Sequence, residues 1–88
     1  MNQTIEILSK EQAQIVLCEK VLNNPWIEKR FENRILQLVK ENKSWDYIRF
    51  YIDESIEILK ELKYDYETIE VYNEILDLVL YIIDELDE

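Results

Sequence analysis

The segment Asp65–Glu88, DYETIEVYNEILDLVLYIIDELDE, sets its apolar residues at three- and four-residue steps throughout its length. That is the period of an α-helix with one side in a core. Ile69, Tyr72, Leu76, Val79, Ile83 and Leu86 form one stripe, and Val71, Ile75, Leu78 and Ile82 form a second. With Leu80, the two stripes cover roughly 200° of the helix. One face of a bundle needs less, so this helix either lies at the centre of the fold or gives part of its apolar surface to another molecule. The carboxylates keep to the remaining side. Glu67, Glu70, Glu74, Asp77, Asp84 and Glu88 follow at steps of three, four, three, seven and four residues, and Tyr81 fills the missing step. The row extends roughly 31 Å at the rise of an α-helix. Asp65 is placed to cap the helix, with Glu67 in the first turn, where the dipole favours an anion.

Three more amphipathic segments lie upstream. Ser44 caps a helix with Asp46 in its first turn, an apolar line of Trp45, Ile48, Ile52, Ile56, Leu59 and Leu62, and a flank of Phe50, Tyr51 and Ile58. Before it, Asn24-Pro25 reads as an N-cap followed by proline at the first helical position, where the missing N–H costs nothing. That helix is expected from Pro25 to about Asn42, with Trp26 in its first turn and Ile27, Phe31, Ile35, Leu38 and Val39 facing inward. Ser9-Lys10-Glu11-Gln12 has the form of a capping box. The helix it opens is expected to end at Asn23 and to bury Ile15, Cys18, Val21 and Leu22, with Val16 and Leu17 widening the face. Residues 4–8, where Ile5 and Ile7 alternate, read as an extra helical turn or an extended arm. Short connections make sequential helices antiparallel neighbours. The expected fold is all-α: a single domain over residues 1–88, built as a small antiparallel up-down bundle of four helices. Three helices plus an N-terminal arm is the alternative.

Composition narrows the chemistry. The 88 residues contain no glycine, no histidine, one proline and one cysteine. Without glycine, the left-handed turns of hairpins and phosphate-cradling loops are hard to make, which disfavours all-β folds, P-loops and dinucleotide fingerprints. Cys18 alone can form neither an intrachain disulfide nor a four-ligand zinc site. The acids face outward and have no histidine beside them, so a di-iron bundle site is not expected, nor is any metal or cofactor. No Ser or Cys has a visible base, and enzymatic function is not expected. The first twelve residues lack the basic start and apolar run of a signal peptide. The longest apolar run, Leu78–Ile83, is far too short to span a bilayer, so a cytoplasmic protein is expected, without membrane association.

Charge is the most informative feature. The net charge is −10, and residues 65–88 carry nine acids and no base, whereas residues 25–43 carry five bases and three acids. Glu54, Glu57 and Glu61, with Asp53, make a shorter acidic line on the third helix, which merges with the fourth if the two are neighbours. Like charges at helical spacing repel, and anions at a helix C-terminus oppose the dipole, so the sequence accepts a stability cost in its last turns. One explanation is a solvated face neutralised in part by the bases of the second helix. The other is a docking surface: carboxylates at helical steps resemble, coarsely, a strand of phosphates, which suits a basic protein such as a nucleic-acid-binding enzyme or effector complex. The candidate contacts are Glu67, Glu70, Glu74, Asp77, Tyr81 and Asp84, with Glu54, Glu57 and Glu61 on the third helix and Tyr64 and Tyr66 in the loop between. Exposed tyrosine beside charge is a common interface composition. Direct nucleic-acid binding is not expected. A homodimer through the apolar surplus of the fourth helix is a further expectation.

In overall character, small, acidic, helical and without catalytic residues, the chain resembles phage-encoded inhibitors of bacterial defence, among them some anti-CRISPR proteins and other nucleic-acid mimics. It is similar in the same way to the acidic helical immunity proteins that neutralise nuclease toxins. The resemblance implies an inhibitor of a nucleic-acid-handling protein and carries over no individual residue. The alternative function is a helical dimerisation or adaptor module.

Overall fold

The computed structural model describes residues 9–22 and 24–86. They form α1 (Lys10–Leu22), α2 (Lys29–Lys40), α3 (Trp45–Glu61) and α4 (Tyr66–Tyr81), with a π-helical extension of α4 over Ile82–Leu86. No strand occurs among the described residues. The four helices pack together: α3 lies along α4, α1 lies against α2 and α4, and the π-helical extension reaches α1 and α3. α4 is therefore central, one of the two outcomes its wide apolar arc allows. The expectations for residues 4–8, and for Asn23 as the end of the first helix, lie outside the described residues.

Local hydrogen bonds explain the helix starts. Ser9 and Gln12 form the reciprocal capping box: the Gln12 N–H donates to Ser9 Oγ at 3.1 Å and the Ser9 N–H to Gln12 Oε1 at 3.0 Å. Ser44 Oγ accepts the Tyr47 N–H at 3.1 Å and starts α3. Asp65 precedes α4 without a side-chain cap bond, so its carboxylate acts only as a charge near the positive helix end. The second helix departs from expectation. Asn24 Oδ1 accepts the Trp26 N–H at 3.0 Å and the Asn24 carbonyl accepts the Ile27 N–H at 3.2 Å. These bonds close a turn around Pro25 instead of capping a helix, since an Asx side chain serves either purpose. α2 accordingly begins at Lys29, not Pro25, and ends at Lys40, not Asn42.

Two helix ends use left-handed residues despite the absence of glycine. Asn42 has φ 62° and Lys63 has φ 61°. After α2, the Lys43 N–H donates to the Leu38 carbonyl and the Asn42 N–H to the Val39 carbonyl. After α3, the Tyr64 N–H donates to Leu59 and the Lys63 N–H to Lys60. Both are Schellman closures, in which orphan carbonyls of the last turn find donors. Asparagine tolerates this conformation, and lysine does so only against the clash of its Cβ.

The core collects Leu17 and Val21 of α1, Phe31, Ile35 and Leu38 of α2, Trp45, Ile48, Ile52, Ile56 and Leu59 of α3, and Tyr72, Ile75 and Val79 of α4, with Ile27, Ala13 and Ile82. On α4 the buried line is Thr68, Tyr72, Ile75, Val79 and Ile82, which runs between the two expected stripes. Ile69, Leu76 and Ile83 on one flank, and Val71 and Leu78 on the other, are half-buried and pack on that core. α1 buries Val21 and Leu17 as expected, but the buried face is rotated toward Ala13 and away from Ile15 and Leu22. Ala13, Leu17 and Val21 are inside, Cys18 is half-buried, and Ile15 and Leu22 are 57% and 52% exposed. Apolar residues surround α1 on nearly every side, so periodicity could not select a face. The small Ala13 lets this side approach its neighbours closely, and Leu17 and Val21 follow it one turn apart. On α3, Leu62, Phe50 and Ile58 face solvent instead of widening the core.

Two stability measurements check this account. Leu17→Ala is expected to cost about 2–5 kcal/mol in urea unfolding, and Ile15→Ala within about 0.5 kcal/mol of nothing. Relief of the left-handed strain at Lys63 outweighs the extra unfolded-state entropy of glycine, so Lys63→Gly is expected to raise stability by about 0.5–1 kcal/mol in the same assay.

Candidate functional site

α4 sorts its side chains by what water demands of them. The apolar line described above faces α1 and α3, and Glu67, Glu70, Glu74 and Asp77 are exposed on the other side. A carboxylate without a partner is costly to remove from water, and this chain has no base after Lys63 to offer. The four described ion pairs are Lys29–Glu32, Arg49–Asp46, Arg49–Asp53 and Lys60–Glu57, all within α2 or α3 at steps of three or four residues. Arg34 of α2 donates to Gln37 on its own helix at 3.3 Å. Among the described side chains, then, no Lys or Arg pairs with an acid of α4, and Glu67, Glu70, Glu74 and Asp77 face solvent.

The remaining predicted residues divide. Asp84 is exposed but sits in the π-helical extension, where the wider winding shifts it from the α-helical row that ends at Tyr81. Glu88 lies outside the described residues. Tyr81 is half-buried and packs on the core, so it fills a gap beside the row more than it lines it. Tyr66 is 73% exposed. Glu54, Glu57 and Glu61 are exposed on α3, and Glu57 shares its charge with Lys60 at 3.8 Å. Because α3 is packed along α4, the two acidic lines belong to adjacent helices.

Tyr64 has a structural partner. Its hydroxyl donates to Glu28 Oε2 at 2.9 Å, and the Glu28 N–H donates to the Tyr72 hydroxyl at 3.2 Å. Glu28 thus ties the start of α2 to the middle of α4 and to the loop before α4. Its carboxylate is committed to Tyr64, and it forms no cap bond to α2 although it stands at the N-cap. Phe31 lies between two tyrosine rings, 5.7 Å from Tyr51 in a stacked arrangement and 4.5 Å from Tyr72 in a tilted one. A cavity of about 290 Å³ opens beside this cluster, lined by Glu28, Arg30, Tyr51, Ser55 and Tyr72 among others.

Phe50, Ile58 and Leu62, expected to face or flank the core, lie with Tyr47 on the outer side of α3. Tyr47, Phe50, Ile58 and Leu62 are 48–64% exposed. They recur at steps of three, eight and four, opposite the buried line, with Glu54 between them. Two shallow grooves of about 650 and 620 Å³ run along this side, one lined by Tyr47, Phe50, Tyr51 and Glu54, the other by Phe50, Asp53, Glu54, Glu57 and Ile58. A helical wheel places Tyr47, Phe50 and Ile58 roughly 160° from the centre of Trp45, Ile48, Ile52 and Ile56, with Leu62 at the edge of that arc, and it does not tell whether a neighbouring helix covers them.

Among the described residues no group of three or more Cys, Asp or Glu side chains converges to hold a metal ion. No described helix is long and apolar enough to cross a membrane. Burial pushes the Cys18 thiol pKa upward, away from reactivity. No protein-family model matches the chain, and comparison with curated proteins and with solved structures finds no match.

The two tied tyrosines give a pH signature. Burial raises the Tyr72 pKa, and the hydrogen bond to Glu28 raises that of Tyr64, both above the ordinary value of 10.0. The folded state holds these protons more tightly than the unfolded chain, so the stability they contribute is complete below pH 10.0 and is lost as pH rises through the folded-state values. Tyr64 lies at the surface and solvent screening keeps its share small. Ultraviolet titration is expected to show two late-ionising phenols. Tyr64→Phe is expected to remove one of them and leave the alkaline stability loss set by Tyr72.

Proposed function

We propose that this protein is a small acidic, non-enzymatic inhibitor that binds a basic, nucleic-acid-handling protein and blocks its nucleic-acid site. In this reading an antiparallel up-down arrangement of the helices serves as a rigid support for the carboxylates of α4. The carrying observation is that Glu67, Glu70, Glu74 and Asp77 stand in water with no described cation against them. An uncompensated acidic helix creates a long-range field that steers basic partners and repels nucleic acid. A phage-encoded anti-defence role of the anti-CRISPR or DNA-mimic kind fits this chemistry, and so does neutralisation of a nuclease toxin. The site consists of Glu67, Glu70, Glu74 and Asp77, with Glu54, Glu57, Glu61, Tyr66 and Asp84 at its margins.

A dimerisation or adaptor module would use the apolar surplus of α4. Ile69, Val71, Leu76 and Leu78 instead pack on the core, and a charge of −10 on each copy opposes self-association at moderate salt. The inhibitor reading is therefore preferred.

Glu70→Lys/Glu74→Lys/Asp77→Lys tests it. The three positions are exposed, so circular dichroism is expected to show an unchanged helical fold. Capture of the basic partner from a host extract at low salt, and inhibition of its nucleic-acid binding, are expected to be lost. A triple variant that inhibits as well as the parent protein refutes the reading.

A further inference from the structure

The outer side of α3 is apolar and has no partner within the fold. Tyr47, Phe50, Ile58 and Leu62 expose about half or more of their surface there, whereas the inner side of the same helix is fully occupied by Trp45, Ile48, Ile52, Ile56 and Leu59. From Tyr47 to Leu62 the ridge runs about 22 Å. Exposed apolar residues gathered in one ridge, with charge at its rim, mark an interaction surface more often than scattered ones do.

The charge around the ridge selects its occupant. Glu54 stands in the ridge between Phe50 and Ile58, and it lines both grooves. Asp53 and Glu57 border the second groove, Asp46 the first, and Glu61 is exposed one turn beyond Glu57. Arg49 and Lys60 are already engaged by Asp46, Asp53 and Glu57. Lys43 sits over the Tyr47 ring, 5.7 Å from its centroid. Five acids against three bases, Lys43, Arg49 and Lys60, leave the border of the ridge negative. Tyr51 and Ser55 turn toward α2 across the cavity, and Glu57 and Glu61 lie on the opposite flank of α3. A second copy would bring the same net-negative border to both sides, because a two-fold interface repeats the same patch on each subunit. An anionic surface is repelled for the same reason.

We infer that the outer face of α3 is a docking groove for a basic amphipathic helix of a partner protein, whose apolar edge lies on Phe50 and Ile58 and whose Lys or Arg side chains meet Glu54, Glu57 and Glu61. The i, i+3, i+4, i+7 apolar edge of such a helix is the standard way a helix is read by a groove. This inference rests on the reading that the protein captures a basic partner, and it supplies what an acidic row alone lacks. Exposed ion pairs contribute little net affinity, and buried apolar anchors carry most of it.

The probe is a synthetic helical peptide of about 15 residues, with Leu along one edge at i, i+3, i+4 and i+7 spacing and Lys elsewhere. A scrambled isomer of the same composition is the control. Nitrogen–proton correlation spectra with the labelled full chain are expected to show shifts centred on Tyr47, Phe50, Glu54 and Ile58. The scrambled isomer is expected to bind at least tenfold more weakly, and Phe50→Ser/Ile58→Ser to weaken the amphipathic peptide at least tenfold. Both substituted positions are exposed, so the fold is expected to survive, and the shift map on the parent protein decides the question even where it does not. Equal binding of the two peptides, shifts confined to α4, no binding, or unchanged affinity of the double variant overturns the inference. So does a dimer in sedimentation that the double variant dissolves, since a second copy then covers the ridge. The α4 charge-reversal variant separates the two proposals: peptide binding at α3 that survives in it, while partner inhibition by the parent protein proves independent of the α4 acids, refutes the inhibitor site and leaves the α3 groove standing.

Discussion

Nine carboxylates between Asp65 and Glu88, with no lysine or arginine among them, must stay in water. Desolvating an unpaired carboxylate costs more than any single apolar contact returns. This constraint limits the rotation of α4 to its apolar arc. Within that arc the strip Thr68, Tyr72, Ile75, Val79 and Ile82 turns inward, with α1 and α3 packed against the helix. The broad apolar arc then fits, with Ile69, Leu76 and Ile83 on one shoulder and Val71 and Leu78 on the other, packed on the core and half covered. Repulsion along the acidic side is tolerated because burial of Tyr72, Ile75 and Val79 offsets it.

The joints between helices are made without glycine. Asn42 and Lys63 take the left-handed conformation that closes α2 and α3, and the hydrogen bonds of the two Schellman closures hold them there. Composition suggested that such turns would be avoided. The chain instead accepts strain at one lysine, because a closed helix end satisfies carbonyls that would otherwise lack donors. Glu28 joins these local closures to the tertiary fold. Its backbone N–H reaches Tyr72 and its carboxylate reaches Tyr64, so one residue in the α1–α2 connection fixes the approach of α4.

The surface that results is divided by chemistry. Net negative charge is concentrated on α4, and Tyr47, Phe50, Ile58 and Leu62 expose an apolar ridge on the outer side of α3. In the proposed inhibitor these would act at different ranges. The acidic helix attracts a basic partner over roughly a Debye length, about 8–10 Å at moderate salt. The ridge of Phe50 and Ile58 acts only in contact, where it excludes water. A partner that carries both basic and apolar groups would use both, whereas a polyanion such as nucleic acid would find neither.

The all-helical class, the capping box at Ser9, the start of α3 at Ser44 and the acidic side of α4 were legible in the sequence, because each depends on residues within one or two turns of one another. The Asn24-Pro25 signal was ambiguous at that range, and the fold used it as a turn. Three things were decided only by tertiary packing. α1 is apolar on nearly all sides, and the choice of Ala13, Leu17 and Val21 over Ile15 and Leu22 depends on how closely α2 and α4 approach. Tyr64 reads as a free surface tyrosine until Glu28, far away in sequence, takes its hydroxyl. The outer face of α3 reads as core, because periodicity reports that a residue is apolar and not whether a neighbour exists to cover it. Local sequence specifies hydrogen bonds and periods. Which apolar face lies inside is a property of the competition among all faces for a limited interior, and only the assembled helices settle it.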